Sequence, residues 1–254
     1  MTSRYDVKLN NVSLSSVNEK LLIIDVAYQS ESSAEQMRIA NRDGARLSDR
    51  YRSANSVTVT FELHEYDIVK RQSALQDVIA WARNGGTLKI NDRKNQSLRV
   101  VCDTLPNISV RNWTEALTLT FSAYDYPYWQ NTSSTVATLV GKNTSGTLKL
   151  DGTAPKAYVD VSVTTTAKLT SLTVKVGDTS ISLSDLNIAA NKTITFSYSS
   201  SNILSIKCGS DSLLSKRTAK SSDDLVAVCG ATNTIKITAS SNVTATFSAK
   251  GAWL

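Results

Sequence analysis

A two-residue alternation of apolar and polar side chains restricts this chain more than any other feature. In the second half, AYVDVSV (from Ala157), SLTVKV, KTITFSY, LSIKC, DLVAV, TIKITA and VTATFSA are all strand-length and mostly alternating. Gly, Asn, Asp and Ser separate them at roughly the 8–12-residue spacing of sandwiches and jelly rolls. Successive side chains of a strand point to opposite faces, so this pattern buries one face and wets the other. Thr at alternate positions, as in NVTATFSA, suits the wet face. No helical period competes, and the second half reads as β throughout.

The first half reads as strands with one helix. Lys20 to Tyr28 (KLLIIDVAY) is a continuous β-branched run, Ser56 to Leu63 (SVTVTFEL) alternates, and TLKI, LRVVC and EALTLTFSAY follow between turn residues. Between the second and third of these, Ile68, Leu75, Val78, Ile79 and Ala82 fall on one face of a helix, with Trp81 beside it. Asp67 is its expected N-cap, and Arg83 followed by Gly85-Gly86 its stop signal. A single helix among strands has to cover an open sheet face or edge, so it is placed across a β-sandwich.

Composition places a seam in the middle. The chain has 254 residues, enough for one large β domain or two ordinary ones. Eleven of the twelve Arg precede residue 130, and no Glu follows it. The net charge of +6 divides as +1 before that point and +5 after. We therefore expect two domains, 1–130 and 131–254. The aromatics Tyr124, Tyr126, Tyr128 and Trp129 gather around Pro127 just before the division, and a Thr/Ser run follows. Proline biases Tyr126 toward an extended shape, and large rings with polar tips suit a seam between two packed surfaces. The plainer reading of the same residues is a local cap on the core.

Reactive chemistry finds little support. The only histidine, His64 in FELHEYD, is flanked by Glu62 and Glu65, but no HExxH, GxSxG, Walker or GxGxxG pattern accompanies it, and it reads as structural. Cys102, Cys208 and Cys229 have no zinc spacing and read as reduced, mostly buried thiols. Asp223 and Asp224 lack the spaced oxygen ligands of a calcium loop. No catalytic residue, metal or cofactor is expected. The basic pI near 9.2 raises nucleic acid, yet the densest cluster, five Arg from Arg38 to Arg52, also holds Asp43 and Asp49 and a single aromatic, Tyr51. It reads as a solvated or subunit-contacting loop, and no nucleic-acid binding is expected. There is neither an apolar h-region after Met1 nor an apolar run of membrane-spanning length, so the sequons at Asn112 and Asn191 are expected to be inert. Carbohydrate clefts rely on flat aromatic faces, and the second half offers only Tyr158, Phe196, Tyr198, Phe247 and Trp253.

The order of the pieces resembles a known family. The VSLSS segment, the Asp43-Gly44 loop, VTVTFEL, the helix ending in Trp81 and Gly85-Gly86, LKINDRKNQSLRV and LTLTFSAYDYPYW are similar to the distal tail protein of siphophages and prophages. The closing DDLVAVCGATNTIKITASSNVTATFSAKGAWL resembles that family's galectin-like or jelly-roll C-terminal domain. The resemblance implies a ring-forming β-sandwich plus helix followed by a peripheral galectin-like domain, with no enzymatic activity. It implies a homo-hexameric ring that can stack back to back, at the distal end of the tail in a virion whose parts are made in the host cytoplasm. The implied partners are the tail tube protein, a tail-associated baseplate hub protein and a receptor-binding protein. Two other readings remain open, a carbohydrate-binding module for the host cell wall and a tail tube protein.

Overall fold

The computed structural model describes residues 4–30, 55–106, 116–199 and 201–254, and the backbone of 32–38 and 45–52. The chain divides into two compact units, Met1–Trp129 and Gln130–Leu254. It is mainly β, as the alternation requires.

The first unit runs β1 (Val7–Leu9), β2 (Val12–Ser13), α1 (Leu14–Val17), β3 (Leu21–Gln29), β4 (Ser32–Arg38), β5 (Ala45–Arg52), β6 (Ser56–Leu63), α2 (Ile68–Ala82), β7 (Gly86–Ile90), β8 (Gln96–Thr104) and β9 (Leu117–Ala123). Its strands form one antiparallel sheet in the order β2-β1-β7-β8-β9-β6-β3, with β4 and β5 as a separate hairpin. Alternate residues enter the core: Val57, Val59, Phe61 and Leu63 from β6, and Leu117, Leu119, Phe121 and Ala123 from β9. The continuous apolar run of β3 has a local cause. A bulge between Ile23 and Asp25 shifts the register, so Leu21 and Ile23 point inward, Ile24 is exposed and Val26 points inward again.

Helix α2 starts where Asp67 caps it, its carboxylate accepting from the Val69 and Lys70 amides at 2.9 and 3.2 Å. Leu75, Val78 and Ala82 are buried as expected, and Ala74 and Arg71 join them. Ile68, assigned to the same stripe, is instead 59% exposed. It is the first helical residue, and the buried stripe begins one turn later with Arg71, whose guanidinium donates to the Leu63 carbonyl at 2.7 Å. Trp81 donates to the Val12 carbonyl at 3.0 Å and meets Phe121 edge-on, which fixes the end of the helix against the sheet. The stop is doubly determined. Gly85 has φ +58°, and a Cβ at Gly86 would lie 2.1 Å from the Asn10 side chain, which bonds the Gly85 carbonyl and the Thr87 amide.

Two expectations need correction here. A short helix, α1, adds to the one expected, because Leu14 turns inward to full burial within VSLSS. The Arg38–Arg52 stretch is not simply a loop: Ala34 pairs with Arg50 and Arg38 with Ala45, so much of it is a hairpin strand. Residues 39–44, including Asp43-Gly44, and the sequon at Asn112 lie outside the described residues.

The second unit takes up β10 (Trp129–Asn131) at its start and continues with β11 (Thr135–Lys149), β12 (Ala157–Thr165), β13 (Leu172–Val176), β14 (Thr179–Leu183), β15 (Thr193–Tyr198), β16 (Leu204–Cys208), β17 (Asp211–Ser212), a 3₁₀ turn (Leu214–Lys216), β18 (Val226–Ala227), β19 (Thr232–Ala249) and β20 (Ala252–Trp253). The expected TIKITA and VTATFSA strands are one 18-residue strand, β19. It keeps a single parity, burying Ile235, Ile237, Ala239, Val243, Ala245, Phe247 and Ala249. Along one edge, its first half pairs with β13 and its second half with β12. Along the other edge it pairs with β11 throughout, with an irregularity between Gly141 and Asn143. The β11–β19 ribbon therefore serves both layers of the sandwich. The Thr/Ser run after Trp129 leads directly into this 15-residue strand, which begins at Thr135. Its alternation is disguised because its outward residues are Val136, Thr138 and Val140 while the inward ones include Ala137 and Gly141.

Candidate functional site

The aromatic group before the division lies at the end of the first unit where β3, the β7–β8 turn and the chain after β9 meet. Tyr124 accepts a hydrogen bond from Arg99 at 2.8 Å, and the guanidinium also lies over its ring. A tight turn follows, with Asp125 at φ +61° and the Tyr126 amide donating to the Tyr124 carbonyl. Tyr126 and Tyr128 are both buried and meet edge-on at 4.9 Å. The Pro127 carbonyl between them accepts from the Asn55 side chain, itself buried. Trp129 is 1% exposed. It meets Tyr28 edge-on, and the Arg93 guanidinium lies over both rings, 4.5 Å from the Tyr28 centroid and 4.8 Å from that of Trp129. Tyr28 donates to the Asp92 carboxylate at 2.6 Å, and burial together with that bond holds its hydroxyl well above the ordinary tyrosine range.

The structure thus joins Trp129 to Tyr28, Asp92 and Arg93, while Tyr124 pairs with Arg99, Tyr126 with Tyr128 and the Pro127 carbonyl with Asn55; sequence reasoning did not single out Tyr28, Asp92, Arg93, Asn55 or Arg99 as site residues. The one sequence signal for them is the charged turn NDRKN, which places Asp92 and Arg93 next to each other between two strands. Chemically the cluster is a rigid packing surface. Its cations lie over aromatic faces, an arrangement that fixes ring orientation, and its hydroxyl stays protonated as a donor.

The remaining candidates stand apart from it. His64 pairs with Glu62 at 3.0 Å on the surface. Glu65 is largely shielded and bonds Lys20 at 2.7 Å, and that bond lowers the Glu65 pKa and raises that of Lys20. Asp223 is fully exposed and lies 3.4 Å from Arg217. The three thiols are free, and burial pushes those of Cys102 and Cys229 up. Among the described residues no group of three His, Cys, Asp or Glu could hold a metal ion, and no helix is long and apolar enough to cross a membrane.

In the second unit, Phe196 and Phe247 belong to the core. Tyr158 and Tyr198 form a tilted pair 4.7 Å apart, with Lys156 over Tyr158. The Tyr198 hydroxyl is committed to the Leu225 backbone, accepting from its amide at 2.5 Å, and burial holds it protonated. A surface hollow of about 550 Å³ is lined by Asn191, Lys192, Cys208 and Asp211 among others. None of its lining residues is a histidine.

No family model and no curated protein matches the sequence. Solved structures do match in fold. The chain is similar to Dit (gp 19.1) of phage SPP1, described as a paradigm of the hub adsorption apparatus in phages infecting Gram-positive bacteria. That match has a TM-score of 0.72 and 11% identity and covers 97% of this chain and 98% of Dit. It is also similar to a chain of the phage P2 baseplate in its activated conformation with Ca, at a TM-score of 0.50 and 9% identity, covering 97% of both chains. The chain therefore shares the fold of that hub protein over nearly its whole length, the fold that the order of motifs suggested.

Proposed function

We propose that the chain is a structural subunit of a phage tail, a distal tail protein that closes with further copies into a hexameric ring between the tail tube and the baseplate. The observation that carries this reading is the end-to-end match in fold to a hub protein. It spans both units in the same order, so the likeness goes beyond that of one sandwich to another. In this reading the protein works by geometry and catalyses nothing. Its partners are copies of itself, the tail tube protein, a baseplate hub protein and a receptor-binding protein, and its place is the distal end of the virion tail. A closed ring needs heterologous head-to-tail interfaces, two different patches per subunit.

Mass photometry of the purified chain across concentration, alone and with its tail partners, followed by negative-stain imaging, tests the reading. A hexamer with a central hole and peripheral lobes supports it. Long stacked tubes would reassign the chain to the tail tube, and a persistent monomer that binds host wall polymer would favour a carbohydrate module.

We also propose, from the sequence pattern, that Tyr124, Tyr126, Pro127, Tyr128 and Trp129 form the seam where the ring-type unit hands over to the peripheral one. Trp129→Ala then increases protease cleavage at residues 130–134, and unchanged cleavage sinks the assignment.

A further inference from the structure

We propose that the outer edge of β11 pairs with the same strand of a second copy of this chain, antiparallel and centred on Thr138. The starting observation concerns sheet edges. A strand edge carries a row of free amides and carbonyls, and folded proteins blunt such edges with short strands, covering loops, lysines, prolines or bulges. Two edges of the second unit are managed in this way. Strand β17 has two residues. Strand β14 is covered by the segment after the 3₁₀ turn. There the Ser222 and Ser221 hydroxyls accept from the Ser180 and Ser182 amides, while the Thr218 and Ser222 amides donate to the Ser182 and Ser180 carbonyls.

Strand β11 is different. It bonds β19 along one edge and, among the described residues, no strand along the other. Its first protective devices are Lys142 and the irregularity between Gly141 and Asn143. The run before them, Thr135 to Gly141 (TVATLVG), has no charge, no proline and an unbroken register with β19. Its outward face shows Val136 at 58% and Val140 at 68% exposure. An uncharged, β-branched edge of this kind is an aggregation hazard unless a partner covers it.

The sequence of the run selects the partner. Pairing about Thr138 sets Val136 opposite Val140, Ala137 opposite Leu139 and Thr138 opposite itself. Apolar side chains then meet apolar ones and threonine meets threonine, the favoured cross-strand combinations. Centring on Leu139 would set Lys142 opposite Val136, and centring on Ala137 would set Val140 opposite Ser134. In the Thr138 register the two Lys142 ammonium groups lie at opposite ends of the ribbon, about 27 Å apart at ~3.4 Å per residue. A ribbon this short buries less than the ~1,600 Å² of a standard interface, so the contact is weak and concentration-dependent. The proposal stands on the second unit alone and does not require the ring.

The test is cysteine cross-linking in the full chain under mild oxidation. Directly opposed residues of an antiparallel pair have Cα atoms about 4.5–5.5 Å apart, within disulfide reach. Thr138→Cys is expected to give a disulfide-linked dimer well above the background from Cys102, Cys208 and Cys229 in the parent chain. Val136→Cys alone stays at background, and an equimolar mixture of Val136→Cys and Val140→Cys links. Thr138→Lys is expected to lower self-association in sedimentation velocity without changing the melting temperature, because Thr138 is exposed. Thr138→Cys at background level, equal linking by Val136→Cys alone, or a cross-link formed only with another tail protein would each overturn the proposal. Loss of ring particles with the Thr138 cross-link intact would count against the ring alone.

Discussion

Asn233 is a buried polar residue that holds several backbone groups of the second unit together. It is 6% exposed and sits near the start of β19. Its Oδ1 accepts from the Val228 amide at 2.8 Å, and its Nδ2 donates to the carbonyls of Val228, Ala231 and Leu148 at 2.9, 3.2 and 3.3 Å. One side chain thus ties the turn before β19 both to itself and to β11. Asn233→Ala leaves one donor and up to three acceptors without that partner. Each buried group so orphaned costs about 1–3 kcal/mol. Val228 is half exposed, so water replaces part of the loss, and the net destabilisation should be about 2–4 kcal/mol. For a unit of this size, at about 3–5 °C per kcal/mol, the melting temperature falls by about 6–20 °C. Calorimetry of the full chain reads this in the transition of the second unit. Asn233→Asp separates hydrogen bonding from packing. It keeps the shape and the acceptor but turns a carboxylate toward carbonyl oxygens, so at neutral pH it should be no better than alanine and should recover as acid protonates it. A fall of less than ~2 °C for Asn233→Ala would refute the reasoning. It would mean that backbone bonds such as Gly230 to Leu150 hold the turn unaided.

Three further outcomes follow from local geometry. Asp67→Ala removes the acceptor for the Val69 and Lys70 amides and should cost the first unit about 1 kcal/mol, read in urea unfolding. Asp160 is exposed on β12, yet the neighbouring chain desolvates its carboxyl enough to raise its pKa, while the Tyr198 amide and Lys250 offset part of the rise. Folding therefore disfavours its ionised form, so Asp160→Asn, which keeps an acceptor for that amide, should match or exceed the parent at pH 7. The difference should shrink toward pH 4 as the parent carboxyl protonates, and a growing difference on acidification would contradict this. At Gly152 a Cβ would lie 1.9 Å from the Ala252 carbonyl oxygen, with φ at +120°, so Gly152→Ala should cost more than ~3 kcal/mol and lower the soluble yield of folded protein.

The fold was legible wherever one periodicity ran unbroken. SVTVTFEL and LSIKC match their strands end to end, and the cap and stop residues bound α2 correctly. The misreadings share one physical origin. Strand β19 reads as two strands because Ser240, Ser241 and Asn242 resemble a turn, and β11 goes unread as a strand because Ala137 and Gly141 on its inward side are small. Propensity describes a residue's local preference, whereas both assignments were decided by pairing with each other over more than a dozen positions. Ile68 was misplaced for the opposite reason, since helical phase says which side a residue faces but not whether the sheet extends far enough to cover it.

The candidate sites were less legible, and the reason is structural. A reactive centre leaves a signature because its chemistry needs particular residues at particular spacings, and this chain carries none. The aromatic cluster joins Trp129 to Tyr28 and Arg93, partners far apart in sequence that no local pattern connects. Surfaces that act by shape are even less specified, because many apolar residues can fill the same alternating position, and the same fold is then reached at 11% identity. What sequence can show at such a surface is the missing safeguard. Every alternating strand hides an apolar face, but an edge strand that lacks a lysine, a proline and a bulge over seven residues and, among the described residues, pairs with no strand on its outer side leaves its backbone open as well. That combination costs solubility in a free subunit, so its presence in β11 is best accounted for by an assembled state in which the edge is paired.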